Sequence, residues 1–218
     1  MNKQNTLTLV ESLLIDYASG SLPLALEVLV ESHISMNPSS ARSIRMLLQI
    51  GGALMENSDP ISMSEGSFKR LMDEIDGGQD EEIAKSEVSN DNNKLPLPLR
   101  NFISEATFPK NWRRIGFGLS EQTVDFGDEF GNAKLYRIAP GCGVPSHSHD
   151  GNEVSLVLAG GFTDEYGSYG PGDISIQETG AVHKPVADAD GECIVLAVNE
   201  GPIVLTSPVG RLLNMLIK

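Results

Sequence analysis

The segment at residues 141–160, GCGVPSHSHDGNEVSLVLAG, constrains the fold of this chain more than any other stretch. It contains two of the four histidines in the chain, His147 and His149, with one residue between them. Because side chains alternate between the two faces of a β-strand, this spacing on an extended segment points both imidazoles the same way. The sequence therefore predicts a strand that presents a pair of histidines on one face.

A turn and a carboxylate follow the pair directly. Asp150-Gly151 is a dipeptide typical of tight hairpins, and Glu153 opens the next predicted strand, so we expect the carboxylate and the imidazoles to converge across one hairpin. A third imidazole, His183, follows a glycine-rich turn at 170–173 and one short strand. Three imidazoles and a carboxylate suit Zn, Fe, Mn, Ni or Cu. The predicted metal ligands are His147, His149, Glu153 and His183.

These residues resemble the two motifs of the cupin family. The first motif, G-x5-H-x-H-x3-E-x6-G, is matched throughout by Gly141, His147, His149, Glu153 and Gly160. The second, G-x5-P-x-G-x2-H-x3-N, is matched by Gly172, Gly180 and His183, whereas Glu178 replaces its proline and Ala187 its asparagine. The alternative is that these histidines only satisfy buried hydrogen bonds, but three of the four fall on the motifs. The resemblance implies a metal-binding jelly roll.

Composition excludes several classes of protein. The net charge of −14 over 218 residues argues against a basic face that binds nucleic acid directly. Two cysteines in unlike contexts, Cys142 and Cys193, do not form a disulfide framework. No apolar run has the pattern of a signal peptide or the length of a membrane span. We therefore expect a cytoplasmic protein that binds neither nucleic acid nor membrane.

The first third of the chain, residues 1–76, reads as four short helices. Capping boxes at 8–11 and 62–65 begin the first and the fourth, and Ser39 or Ser40 is expected to cap the third. A bundle this small buries little core of its own, so we expect it to wrap a partner or to pack on a second domain. The narrow apolar stripes predicted for the third and fourth helices consist of Ile44, Leu47, Leu48, Leu54 and Met55, and of Phe68, Leu71, Met72 and Ile75.

The remainder divides into a linker and a β-rich domain. Residues 77–94 are acidic and lack periodicity, which favours a flexible linker over a solvated helix near 80–88. From Leu95 the segment LPLPLRNFI is expected to be extended at its prolines, and short alternating segments then run between Gly, Pro and Asp residues, which is typical of a sandwich or barrel. The predicted fold is α + β, with a small helical bundle at 1–76 followed by an all-β cupin jelly roll at 95–218.

Nearly the whole chain resembles the ChrR-type anti-sigma factors. The resemblance is carried by LLIDYASGSLP near the start, GGALME at 51–56, EVSLVLAGGFTDEYGSYGPGD in the cupin and the closing CIVLAVNEGPIVLTSPVGRLLN. It implies a helical domain that holds an extracytoplasmic-function sigma factor and a cupin that releases the factor on an oxidative signal such as singlet oxygen. It also favours Zn in the cupin, with Fe, Mn or Ni as further candidates. A homodimer stays open.

The chain departs from this family at its zinc signature, H-x3-C-x2-C with an earlier histidine. Here His33 is followed by Asn37 and Ser40 where the cysteines belong, and Thr8 stands in place of the earlier histidine. An amide and a neutral hydroxyl are poor substitutes for thiolates. We therefore predict no zinc in the helical domain and expect His33 to be a hydrogen-bonded residue at a helix end.

Three roles for the cupin metal remain open from the sequence. The metal can be sensory, with Cys142 either a reactive group or a small buried residue. It can belong to a dioxygenase-like metalloenzyme with a degenerate anti-sigma domain, although no residue outside the ligand set is nominated as catalytic. It can also be purely structural. The favoured interpretation is a non-enzymatic anti-sigma factor with a sensory cupin.

Overall fold

The structure of the protein, a computed structural model, describes residues 3–77, 95–103, 112–116, 118–127 and 132–206. For residues 3–7 and 132 it describes the backbone alone. Apart from Gly77, the predicted linker therefore lies outside the described residues. The described helices are α1 (Lys3–Ala18), α2 (Leu24–Met36), α3 (Pro38–Glu56), α4 (Ser67–Gly77) and α5 (Leu97–Arg100).

All described strands pair in antiparallel fashion. The large sheet has the order β1-β2-β3-β10-β5-β8, and the two smaller sheets have the orders β11-β4 and β7-β6-β9. The strands are β1 (Arg113–Gly116), β2 (Leu119–Val124), β3 (Asn132–Ile138), β4 (His147–His149), β5 (Glu153–Ala159), β6 (Phe162–Thr163), β7 (Ser168–Tyr169), β8 (Ile174–Gln177), β9 (Val186–Ala187), β10 (Cys193–Asn199) and β11 (Ile203–Leu205). Helices followed by an antiparallel β-domain confirm the predicted fold class.

The central strand of the large sheet, β10, is buried on both faces. Strand β10 is buried at all seven positions, and its side chains alternate between two apolar cores. Leu196 lies in the core shared with the helices, whereas Val195 lies in the core inside the jelly roll. Because alternate side chains leave a strand on opposite faces, one continuous apolar run supplies both cores.

The first two helices are covered by the β-domain. Leu13 and Leu14 of α1 and Leu29 of α2 are buried in the same core as Leu156 of β5 and Leu196 of β10. Helix α1 contacts β8, and helix α2 contacts β5, β10 and α5. Packing on the second domain, one of the two expectations for the helices, is therefore how α1 and α2 bury their apolar residues.

Helices α3 and α4, unlike α1 and α2, bury almost none of their side chains. The described residues up to Gln49 and from Leu95 onward form one compact unit, whereas the described residues from Ile50 to Gly77 belong to a second unit. Ile44 is the one buried residue recorded in α3, and α4 has none. Compactness does not measure independent folding, so the domain boundaries at 76, 94 and 95 stay a prediction.

The expectation that LPLPLRNFI is extended at its prolines is correct at Pro96, with φ −55° and ψ 146°, and wrong at Pro98, because Leu97–Arg100 forms one helical turn. Pro96 precedes the turn and Pro98 lies within it. The first turn of a helix needs no backbone N–H donor, and the fixed φ of proline suits it. Leu95, Leu99 and Ile103 are thereby all buried at 3% exposure or less. Among the described helices, none has the length and apolar character needed to cross a membrane.

Candidate metal centre

The predicted ligands reach the site from two different sheets. Strand β4, which carries His147 and His149, pairs with β11, whereas β5, which begins at Glu153, pairs with β8 and β10. The hairpin expected at Asp150-Gly151 is therefore wrong, since the chain passes there from one sheet to the other. Gly151 has φ 138° and approaches the neighbouring turn so closely that a Cβ atom would lie 2.9 Å from the Gly201 nitrogen.

Three imidazoles meet between the sheets. One ligand nitrogen from each of His147, His149 and His183 lies within 4.8 Å of the other two, and all three residues are at most 3% exposed. His147 and His183 exchange both backbone hydrogen bonds, at 3.1 and 3.0 Å. Their Nε2 atoms are 3.0 Å apart, and the Nε2 atoms of His149 and His183 are 3.3 Å apart. A tetrahedral metal site with nitrogen ligands has edges of about 3.4 Å.

The carboxylate of Glu153 adjoins this cluster. Its Oε2 lies 3.2 Å from Nε2 of His149, and its Oε1 accepts a hydrogen bond from the Ser155 hydroxyl at 3.1 Å. Burial raises the pKa of Glu153, because desolvation disfavours the charged form. A neighbouring cation would therefore stabilise the carboxylate that the protein alone disfavours.

The outer ring nitrogens fix the tautomers of two imidazoles. Nδ1 of His147 faces the Pro145 carbonyl at 2.8 Å, and Nδ1 of His183 faces the Asp164 carboxylate at 3.1 Å. Both oxygens can only accept, so each Nδ1 carries the proton and each Nε2 presents a lone pair. The lone pairs of His147 and His183 then point at one another across 3.0 Å, which is repulsive without a positive charge between them.

Protonation is an unfavourable way to supply that charge. Desolvation and the neighbouring imidazole of His183 lower the pKa of His147 to about 4. Desolvation and the neighbouring imidazoles of His147 and His183 lower the pKa of His149 to about 3. A divalent cation, which needs neutral imidazoles as ligands, fits the cluster better than a proton does.

Asp164 is a residue of this site that the sequence analysis did not identify. Its side chain is fully buried, and its Oδ1 accepts hydrogen bonds from the backbone of Tyr166 and Gly167 at 2.9 and 3.1 Å. Its Oδ2 orients His183. A carboxylate that orients a metal-bound histidine typically strengthens the site. The D-x-x-G pattern that begins at Asp164 indicates a turn. The contact of Asp164 with His183, however, depends on the pairing of β6 with β9.

A cavity of about 640 Å³ opens beside the cluster inside the jelly roll. His147, His183 and Glu153 contribute to its wall, and most other lining side chains are apolar. This volume lies within the usual range for sites that bind small molecules.

The histidine of the helical region has a different environment. His33 is 3% exposed, its Nδ1 donates to the Gly172 carbonyl at 2.7 Å, and its Nε2 accepts from the Ser40 hydroxyl at 2.7 Å. These contacts agree with the expected hydrogen-bonded histidine near a helix end. Desolvation lowers the pKa of His33.

Asn37 and Ser40 stand where the zinc signature has cysteines. Asn37 accepts hydrogen bonds from the backbone of α3, and Ser40 hydrogen-bonds to the His33 ring. Asn37 Oδ1 accepts hydrogen bonds from the backbone N–H groups of Ser39 and Ser40 at 3.1 and 3.2 Å. Asn37 therefore caps α3, and the expectation of Ser39 or Ser40 as the cap is wrong. Asn is among the best residues for this position because its oxygen reaches the free N–H groups of the first turn.

Both cysteines are free thiols in this structure. Cys193 is completely buried, and desolvation raises its pKa to about 12, which keeps it a thiol at neutral pH. Cys142 is half-buried and packs so closely on Gly118 that a Cβ atom there would lie 2.6 Å from its sulfur. Cys193 is therefore the less reactive of the two.

Comparisons with known proteins agree with this architecture. The model of the ChrR cupin-like domain family matches residues 105–204. Over 204 residues the chain is 33% identical to the anti-sigma-E factor ChrR of Cereibacter sphaeroides, covering 94% of both chains.

Solved structures give the same result. The crystal structure of Rhodobacter sphaeroides SigE in complex with the anti-sigma ChrR aligns with a TM-score of 0.72 at 33% identity, covering 87% of this chain and 96% of that one. KdgF from Halomonas sp. aligns with a TM-score of only 0.40 at 18% identity, over 46% of this chain and 93% of that one, which is too weak to support an argument. These findings do not favour the enzymatic alternative.

Proposed function

This chain belongs to the ChrR-type family of anti-sigma factors, and from that premise we propose that it binds and restrains an extracytoplasmic-function sigma factor in the cytoplasm. The supporting observation is that the relationship to an anti-sigma factor extends over 94% of both chains, through the helices as well as the cupin. Neither direct binding of nucleic acid nor enzymatic turnover is part of this proposal.

The proposed sigma-binding surface is the apolar surface of the second compact unit. Large apolar side chains there are more than half exposed, and exposed apolar patches of this kind mark interaction sites. Acidic residues lie between them in the sequence and would complement a basic partner. The side chains are Leu54, Met55, Ile61, Met63, Phe68, Leu71 and Ile75.

The proposed metal centre consists of His147, His149, Glu153 and His183. It holds one divalent ion, for which we favour Zn over Fe, Mn or Ni, and the helical domain holds none. When bound, the ion supplies the positive charge that the facing lone pairs and the buried carboxylate require. The chain itself orients the ligands through the Pro145 carbonyl and Asp164.

The proposed signal reaches the helices along β5. Glu153 lies at the start of this strand, and Val157 farther along it exchanges backbone hydrogen bonds with the 172–173 turn at 2.8 and 3.0 Å. The carbonyl of Gly172 in this turn accepts the hydrogen bond from His33 of α2. A shift of Glu153 on oxidation or metal loss is therefore passed to the helices through one strand and one turn.

Partner capture is tested with a pair of matched variants. Leu71→Asp introduces a charge at a position 51% exposed on α4, and Ile15→Asp does the same at a position 54% exposed on α1. We expect Leu71→Asp to weaken co-purification with the sigma factor at least about tenfold, because it charges the proposed interface. Ile15→Asp should bind like the wild type. The assay uses the extracytoplasmic-function sigma factors of the source genome, with SigE of Rhodobacter sphaeroides as a further probe. Equal loss in both variants, or binding by none of the factors, would contradict the proposal.

Signal sensing is tested on the preformed complex. Illumination with a photosensitiser that produces singlet oxygen should release the sigma factor from the wild-type chain. His147→Ala should bind the sigma factor but lose this light-dependent change. Release that is identical in the variant would remove the metal centre from the sensing mechanism while leaving partner capture intact.

A further inference from the structure

The cavity inside the jelly roll has a wall that the metal centre does not need. Strands β2, β3 and β10 contribute Leu119, Ile138 and Val195 to it, and Phe162 and Leu205 face it from the smaller sheets. A wall of this kind favours a hydrocarbon group over water. With about 640 Å³ beside the histidines, there is space for an organic molecule next to a bound ion.

One polar group on this wall is the phenol hydroxyl of Tyr136. It makes no hydrogen bond within the part of the chain that the structure describes, although the residue is half-buried and lines the cavity. Desolvation, followed by the charges of Glu121 and Glu153, raises the pKa of Tyr136. The group therefore stays a phenol, and as a donor it is available to an acceptor oxygen in the cavity.

The charges beside Tyr136 do not balance. Glu121 is 6% exposed and pairs with both Arg113 and Lys134, the latter at 3.2 Å. Among the described residues neither cation has another carboxylate partner, so two positive charges face one negative charge at this wall. Asp150 and Glu153 also line the cavity, so together with the divalent ion of the proposed metal centre the cavity carries four positive and three negative charges, and one positive charge remains. A single negative charge on a ligand complements it, whereas a doubly charged group would meet Glu121 and Glu153 without compensation.

We propose that this cavity binds an aliphatic monocarboxylate, with its carboxylate at Lys134 and the Tyr136 hydroxyl and its hydrocarbon chain along the apolar wall. Lys134 and Tyr136 lie two residues apart on β3 and therefore on the same face, and Tyr136 is paired with Glu121 of β2, so both donors lie at the same part of the cavity wall. The inference does not depend on sigma capture, so it is tested on the full chain alone.

The experiment is calorimetric titration of the metal-loaded full chain with octanoate and with 1-octanol, which has the same chain length and no charge. Octanoate should bind more tightly than octanol. Lys134→Gln should weaken octanoate binding about tenfold and leave octanol unchanged, since it removes a hydrogen bond to a charged group. Lys69→Gln, at an exposed lysine that does not line the cavity, is the matched control and should change neither.

Two further variants locate the ligand. Tyr136→Phe keeps the ring and removes the donor, so it should weaken octanoate severalfold. Ala197→Leu fills part of the cavity from β10, so it should reduce the binding of both compounds, whereas adsorption on the surface would not respond. Melting curves of each variant verify that it is folded.

Three results would overturn the assignment. Failure of octanoate to bind the folded wild-type chain would contradict the inference and leave the proposed sigma binding unaffected. Octanoate binding unchanged by Lys134→Gln and Tyr136→Phe but abolished by metal removal would place the carboxylate on the ion alone. Binding unaffected by Ala197→Leu would place the ligand outside the cavity.

Discussion

The chain contains two buried histidine sites that differ in what their ring nitrogens contact. At His33 one nitrogen donates to Gly172 and the other accepts from Ser40, so every polar atom of the ring has a protein partner. At the cupin cluster the outer nitrogens of His147 and His183 are held by oxygens, and the inner lone pairs face each other. Burial alone therefore does not identify a metal ligand, whereas inner lone pairs with no proton between them do point to a cation.

The segment of the helical domain that lacks the signature cysteines is held by other contacts. Asn37 caps α3 and Ser40 completes the hydrogen bonding of His33. The same ring reaches the cupin turn at Gly172, and α1 and α2 share a core with the large sheet. Hydrogen bonds and packing on the cupin thus hold the segment in which the family signature has its metal ligands.

The largest expected effect separates the two sites by metal content. His147→Ala should lose the bound ion, because two imidazoles and a carboxylate that is costly to ionise bind far more weakly than the full set. The purified wild type should contain about one metal ion per chain, and His33→Ala should retain it. Elemental analysis of the three proteins measures this directly.

The result that would contradict the comparison is equally direct. About two ions per wild-type chain, with one lost in each variant, would show that the helical region finds ligands that its hydrogen-bonding pattern does not reveal.

The next effect concerns stability. His33→Ala removes two hydrogen bonds and leaves the Gly172 carbonyl and the Ser40 hydroxyl without this partner, so we expect a loss of about 2–4 kcal/mol in the free energy of unfolding. Urea denaturation of the metal-loaded chain is the measurement. Ser43→Ala, at an exposed serine of α3, is the control and should change stability by less than about 0.5 kcal/mol. A similar small change in both variants would mean that His33 does not tie α2 to the cupin.

A smaller effect tests the orienting carboxylate of the cupin site. Asp164→Asn removes the charged acceptor for Nδ1 of His183 while keeping the size of the side chain, so metal affinity should fall about 10- to 100-fold. Competition with a coloured chelator measures the affinity. Asp190→Asn, at an exposed aspartate, should leave it unchanged. An unaltered affinity in Asp164→Asn would show that the Asp164 contact does not tune the site.

Several features of this molecule were predictable from the sequence because they are local. The spacing of His147, His149 and Glu153 depends on neighbours within a few residues. The capping boxes at 8–11 and 62–65 were wrong as helix starts, because α1 begins at Lys3 and α4 at Ser67. The contact between His33 and Gly172 joins residues 139 positions apart, and the contact between Asp164 and His183 depends on strand pairing. No local pattern reports such contacts.

Two predictions from the sequence were wrong for the same reason. Asp150-Gly151 satisfies the local rule for a hairpin, but the packing of Gly151 on Gly201 turns the chain toward the other sheet. Pro96 and Pro98 permit both an extended chain and the first turn of a helix, and burial of Leu99 favours the helix. In both places a tertiary contact selected between conformations that the local sequence allowed.

The smallest expected effect is a pH dependence that belongs to His33. Its pKa is lowered from 6.5 by desolvation, although the Gly172 carbonyl and the charge of Asp173 oppose the shift. The unfolded chain therefore binds a proton more readily than the folded chain, so the stabilisation is complete above pH 6.5 and decreases as the pH falls below it. The difference in unfolding free energy between wild type and His33→Ala should accordingly be larger at about pH 7.5 than at about pH 5.5. Because both chains keep the cupin histidines, their titration cancels in the difference. A difference that grows on acidification would mean that folding favours the charged ring, and His33 would then be stabilised by Asp173 rather than by the neutral hydrogen bonds.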